Sequence, residues 1–177
     1  MGISTKKFLI VVLSLTLLFA VSCGDRPTGS GTGGGLDSIP DASGQNANVG
    51  NCDFSGTLTC TEASGCTKEE AAMMINDSGG DFQLRIENNK VIASPLMIGS
   101  GKQLLCPDSS KPNFVVASEK TTFENGGEQK ARIEITLDDA NNPTTATVVY
   151  YFGASYSSSG PTITSKHEGT LNKTTGN

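Results

Sequence analysis

Beyond residue 52, apolar and polar positions alternate along most of the chain. Phe54, Gly56, Leu58 and Cys60 alternate with Ser55, Thr57 and Thr59, a period of two that puts one set on a buried face and the hydroxyls in water. Phe82, Leu84 and Ile86 alternate with Gln83, Arg85 and Glu87. Asn88-Asn89 then supplies residues that tolerate positive φ before a return run over 91–98, the mark of a hairpin. Pro95 has no amide to donate to a ladder, so that return run is expected at an edge or a bulge. Leu104, Leu105 and Cys106 predict a short strand, and residues 114–117 another. The clearest hairpin follows Phe123 and Asn125-Gly126-Gly127, where Ala131, Ile133, Ile135 and Leu137 alternate with Arg132, Glu134 and Thr136. A polar turn over 138–143 leads to Ala146, Val148, Tyr150 and Phe152, and Ile163, Ser165, His167, Gly169 and Leu171 mark a last strand. One stretch breaks the period. Thr67-Lys68-Glu69-Glu70 has the capping-box form, and Ala71, Ala72, Met73, Met74 and Ile75 continue it as a short helix that ends in Asn76, Asp77 and Gly79-Gly80.

About eight short strands joined mostly by hairpin turns predict an all-β chain, an antiparallel meander that forms a closed or nearly closed barrel. A β-sandwich is the alternative, and in either case one short helix follows the first strand. The order of strand, short helix and successive hairpins, begun by Phe54-Ser55-Gly56-Thr57-Leu58, is similar to the calycin superfamily of lipocalins and fatty-acid-binding proteins. The resemblance implies architecture alone, and Leu58 stands where that family usually has Trp.

Upstream the pattern is of another kind. Lys6 and Lys7 precede an apolar run over 8–21, interrupted only by Ser14 and Thr16 and closed by Ala20-Val21-Ser22-Cys23. The run is short for a membrane span, which takes about 20 apolar residues, and it has the layout of a secretory signal. These residues resemble the leader of bacterial lipoprotein precursors, in which a small residue precedes an obligatory cysteine. The resemblance implies that residues 1–22 are a signal peptide, that Cys23 carries diacylglycerol and an N-acyl chain such as palmitate, and that acyl chains hold the protein to a membrane. Gly24 stands after the cysteine where Asp would favour inner-membrane retention in enterobacterial relatives, so the outer membrane is the expected location, facing the periplasm.

Residues 23–51 contain few sizeable apolar groups beyond Leu36, Ile39 and Val49. So little burial cannot offset ordering entropy of about 1–2 kcal/mol per residue, so this stretch is expected to be a flexible tether and residues 52–177 one β domain. Its glycines at 29–35 lack the strand, Lys and helix of a phosphate loop. Without residues 1–22 the chain has 11 basic and 18 acidic residues, net −7. That charge disfavours nucleic acid as a partner and repels anionic lipid headgroups, leaving the acyl anchor as the membrane contact.

With Cys23 lipidated, Cys52, Cys60, Cys66 and Cys106 remain, an even number in an exported chain that predicts two disulfides. Eight residues of strand hold Cys52 and Cys60 about 26 Å apart, which disfavours one of the three connectivities. Residues 61–65 can double back between the first strand and the helix, so the expected pairs are Cys60 with Cys66 and, with those two joined, Cys52 with Cys106. No Cys-x-x-Cys pair supports zinc, the Asp138-Asp139 turn does not have EF-hand spacing, and no metal or cofactor is expected. His167, Tyr156, Met73 and Met74 are the candidate ligand-binding residues, each with a plainer use as core or rim. No nucleophile is marked among the Ser and Asp residues, and no catalytic set can be assembled. The expectation is a lipid-anchored envelope protein, not an enzyme, whose β domain binds a small apolar ligand or an envelope protein. The alternatives are a structural or assembly role in an outer-membrane complex and, less favoured, an enzyme using His167 with a carboxylate.

Overall fold

The computed structural model describes residues 35–75, 81–94, 98–157 and 160–174, all within one compact unit, Gly33–Asn177. The expected leader, Cys23 and its lipidation, residues 24–34, the helix stop at 76–80 and Pro95 lie outside the described residues. Strands β1 (Gln45–Asn46), β2 (Cys52–Gly56), β3 (Thr59–Ser64), β4 (Phe82–Glu87), β5 (Lys90–Ser94), β6 (Ile98–Gln103), β7 (Leu105–Cys106), β8 (Phe114–Thr122), β9 (Glu128–Leu137), β10 (Thr145–Ser155) and β11 (Thr162–Lys173) all pair antiparallel. Ten of them run in the order β1-β7-β8-β9-β10-β11-β2-β4-β5-β6, with β3 beside β11, and the sheet curls into a nearly closed barrel. The sandwich alternative is thereby set aside. At the seam β6 lies beside β8 without pairing among the described residues, and Lys102 Nζ reaches Glu119 Oε1 across it at 3.4 Å.

Local sequence signals account for the joints. Asn88 and Asn89 both take positive φ, 52° and 59°, between β4 and β5, as a two-residue hairpin with the right-handed strand twist requires. The helix α1 (Lys68–Ile75) opens on the expected capping box: Thr67 N donates to Glu70 Oε2 at 2.8 Å and Glu70 N to Thr67 Oγ1 at 3.2 Å. The predicted first strand is divided into β2 and β3, yet Phe54, Leu58 and Cys60 are buried as the alternation requires. Along β9, β10 and β11, Ala131, Ile133, Ile135, Leu137, Ala146, Val148, Tyr150, Phe152, Ile163, His167 and Leu171 turn inward and are at most 4 % exposed.

Residues 35–50 are not the tether their composition predicts. Leu36, Ile39, Ala47 and Val49 are buried. Ala42 N donates to Ser118 Oγ at 2.8 Å, Ala47 N to the Leu104 carbonyl at 3.0 Å, Val49 N to Asn89 Oδ1 at 2.8 Å and Gly50 N to the Ala140 carbonyl at 2.8 Å. Glycine makes the fit possible at three places: a Cβ on Gly44 would lie 2.5 Å from the Cys106 carbonyl oxygen, one on Gly50 2.3 Å from that of Asn141, and one on Gly153 2.5 Å from Leu36 Cδ2. Residues 36–42 form a strap on the outer face of the sheet, β1 then adds an edge strand beside β7, and Ala47 and Val49 join the barrel core. Few apolar residues suffice because the barrel supplies most of the surface that each one covers.

Candidate functional site

The residues with the most unusual surroundings sit inside the barrel. Tyr150 on β10 and His167 on β11 are cross-strand partners, 1 % and 0 % exposed, with ring centroids 6.5 Å apart. Phe82 also packs on Tyr150, at 5.6 Å between centroids. His167 Nε2 is hydrogen-bonded to Ser165 Oγ at 2.9 Å, two residues along the same strand face. Among the described residues, His167 Nδ1 and the Tyr150 hydroxyl have no hydrogen-bond partner. Burial pushes the His167 pKa down to about 4, so the ring is neutral at pH 7, and burial, followed by the charge of Glu119, pushes the Tyr150 phenol well above its usual value. A neutral imidazole and a protonated phenol can donate or accept a hydrogen bond. The lowered pKa makes the imidazole a weak base at neutral pH, and among the described residues no carboxylate is hydrogen-bonded to His167.

An internal hollow wide enough for water would leave accessible surface on the side chains that line it. Phe54, Leu58, Phe82, Leu84, Ile86, Val91, Leu104, Val115, Ile133, Ile135, Leu137, Val148 and Leu171 are at most 1 % exposed, so these walls close on one another.

The other candidates do not gather around His167. Met73 is 58 % exposed on α1, pointing away from the barrel, whereas Met74 is partly buried against the core. Tyr156 packs on the core near Cys66, and burial raises its phenol to about 12. The 138–143 turn is occupied by its own donors. Asp138 accepts the amides of Asp139, Thr144 and Thr145 and the Thr144 hydroxyl, and Asp139 accepts those of Asn141 and Asn142. These bonds hold the Asp138 carboxyl far below the usual carboxylate range.

The expected disulfides are absent: no bridge joins Cys52, Cys60, Cys66 or Cys106 among the described residues. Three thiols turn to nearby carbonyls, Cys52 to Gly50 at 3.5 Å, Cys60 to Glu62 at 3.3 Å and Cys106 to Asp108 at 3.2 Å. The strands set these directions, since Cys60 faces His167 across the β3–β11 ladder and Cys106 pairs with Gln45 on β1. Burial raises the Cys52 pKa to about 11, against thiolate chemistry.

On the outer surface, an open cleft of about 290 Å³ lies between β1 and two turns, lined mainly by polar side chains that include Gln45, Asn46, Asn48 and Asn141. The basic residues that meet the strap, Lys130 and Arg132, were legible only as solvent-facing positions of a strand. Gly153, inside a run of β-formers, was the one signal that another segment approaches closely there. Comparison with protein-family models, curated proteins and solved structures returned no match.

Proposed function

We propose that this chain is a lipid-anchored envelope protein, held through Cys23, whose barrel is a non-enzymatic binding module that engages another envelope protein through its outer surface. The observation that carries the reading is the close burial of the described inward side chains, which leaves no hollow between them and favours recognition on the outside. A filled barrel of this kind also suits an assembly role in an outer-membrane complex, which is the same surface used permanently. The leader pattern supports the anchor, and the net charge of −7 after residue 22 supports acyl chains as the membrane contact.

A second reading has its own observation. Tyr150 and His167 each keep a polar atom in an apolar interior without a partner among the described residues, which favours a small amphipathic ligand that opens the barrel and binds between them. Native mass spectrometry of the protein purified from its own membrane separates the two. The outward-binding reading expects the mature, lipidated mass with nothing further attached. A stoichiometric small-molecule adduct, lost in Tyr150→Phe, would replace it with the second reading. For the anchor, Cys23→Ala is expected to leave an unprocessed, unlipidated precursor, and mature protein of normal mass from that variant would remove the lipoprotein assignment.

A further inference from the structure

The strap lies on a surface whose chemistry is matched to it. On the outer face of β8 and β9, Lys120 and Lys130 are direct cross-strand partners, and Lys130 in turn pairs across the ladder with Gly153 of β10. Two like charges opposite each other disfavour the sheet unless anions lie beside them. Lys120 Nζ has Glu128 Oε1 at 2.9 Å, and Lys130 Nζ has Asp41 Oδ1 of the strap at 3.0 Å. Lys130 is only 8 % exposed whereas the Asp41 side chain is 79 % exposed, so the strap carboxylate meets the ammonium from the solvent side and the pair is half-buried. Arg132 Nη1 donates to the Asp41 carbonyl at 3.0 Å, and Ser118 Oγ takes the amide of the next residue, Ala42. Leu36 and Ile39 share one socket: a Cβ on Gly153 would lie 2.5 Å from Leu36 Cδ2 and 3.0 Å from Ile39 Cδ1. One shared socket thus takes two aliphatic side chains, while a carboxylate and two backbone groups each meet their own partner on the barrel.

We propose that this outer face of β8, β9 and β10 is a peptide-docking groove, that residues 36–41 are its resident occupant, and that a partner polypeptide with two aliphatic residues three apart and a carboxylate two residues further on displaces them. The proposal rests on the outward-binding reading and names its surface. An interior ligand would remove that reading and leave the groove intact, whereas failure of the groove would leave outward binding to another face.

The chain's own strap competes at an effective concentration near millimolar, so the test weakens it. The double variant Leu36→Ala/Asp41→Asn of the otherwise complete mature chain is titrated with a fluorescent peptide of residues 35–44. Saturable binding is expected, about tenfold tighter than to the unaltered chain and about tenfold weaker for a peptide carrying Asn in place of Asp41. Adding Lys130→Met to the chain abolishes that discrimination. Absence of binding to a folded double variant, or equal binding of the two peptides, overturns the proposal. An unfolded double variant overturns it as well, because a displaceable occupant cannot be required for the barrel. In the unaltered chain, the amide of Ala42 is expected to exchange hydrogen far faster than that of Ile133, and equal protection would show that the strap never opens alone.

Discussion

Tyr150 and His167 stand opposite each other on β10 and β11 with ring centroids 6.5 Å apart, and each buries a polar atom that none of the described residues satisfies. A buried hydroxyl without a partner carries its desolvation cost uncompensated. Tyr150→Phe is therefore expected to leave stability unchanged or raise it by up to about 1 kcal/mol, read by chemical denaturation. A clear loss of stability would mean that the hydroxyl has a partner in solution.

His167 makes the fold sensitive to acid. Its folded pKa is about 4 against 6.5 for the free side chain, so the unfolded chain binds the extra proton between those values. Stability is full above about pH 6.5 and falls as the pH drops toward 4, by roughly 3 kcal/mol in all. Denaturation midpoints measured between pH 7 and 4.5 should show this slope in the natural chain and lose most of it in His167→Phe. Parallel curves would place the sensitivity elsewhere. Asp138 has the same sign and another cause: hydrogen bonds to its carboxylate depress its pKa, and the stability they contribute above the ordinary carboxylate range is lost as the pH falls below it, outside that window.

Gly153→Val tests the strap as a packed element. The new side chain enters the space of Leu36 Cδ2 and Ile39 Cδ1, and overpacking of this kind costs about 1–3 kcal/mol. The expected result is protease cleavage within residues 36–44 while the β circular dichroism signal persists. Resistance equal to that of the natural chain would mean that the strap is not seated on Gly153.

Thr67→Ala removes one half of the reciprocal bonds that start α1. A loss of about 1 kcal/mol is expected, read from the thermal midpoint, with Thr67→Ser close to neutral.

Thiol reactivity distinguishes the cysteines. Cys52 is buried with a pKa near 11 and is expected to react slowest with a thiol reagent at pH 8 in the folded protein, whereas denatured, unreduced protein should react at Cys52, Cys60, Cys66 and Cys106 alike. Recovery of a peptide bridged between any two of them would reinstate a disulfide.

The parts of the fold that were legible in the chain are those set by neighbours in sequence. The Asn88-Asn89 turn, the Thr67–Glu70 capping box and the inward faces of β4, β9, β10 and β11 follow from positive-φ tolerance, reciprocal hydrogen bonding and a period of two. His167 was placed on the right face, beside Ile163 and Leu171. Features that depend on distant partners were not legible. Leu36 and Ile39 look too sparse to order a segment until Gly153, more than a hundred residues later, provides their socket. The pairing of Cys60 with Cys66 was read from a local turn and that of Cys52 with Cys106 from what remained, but each strand's register decides where its thiol points. Met73 and Met74 are adjacent and alike in composition, and the turn of α1 sends one outward and the other against the core.

Gly153 answers to two structures at once: it is a rung of the β10 ladder and the floor on which Leu36 and Ile39 lie. The size of residue 153 and the sizes of residues 36 and 39 are therefore one shared volume written at two distant places in the gene. A methyl gained at 153 needs a methyl or more given up at 36 or 39. In any collection of diverging copies of this chain, these three positions should change together, and a segment that looks like unconstrained Gly/Ser/Asp sequence should drift only as fast as the sheet beneath it permits.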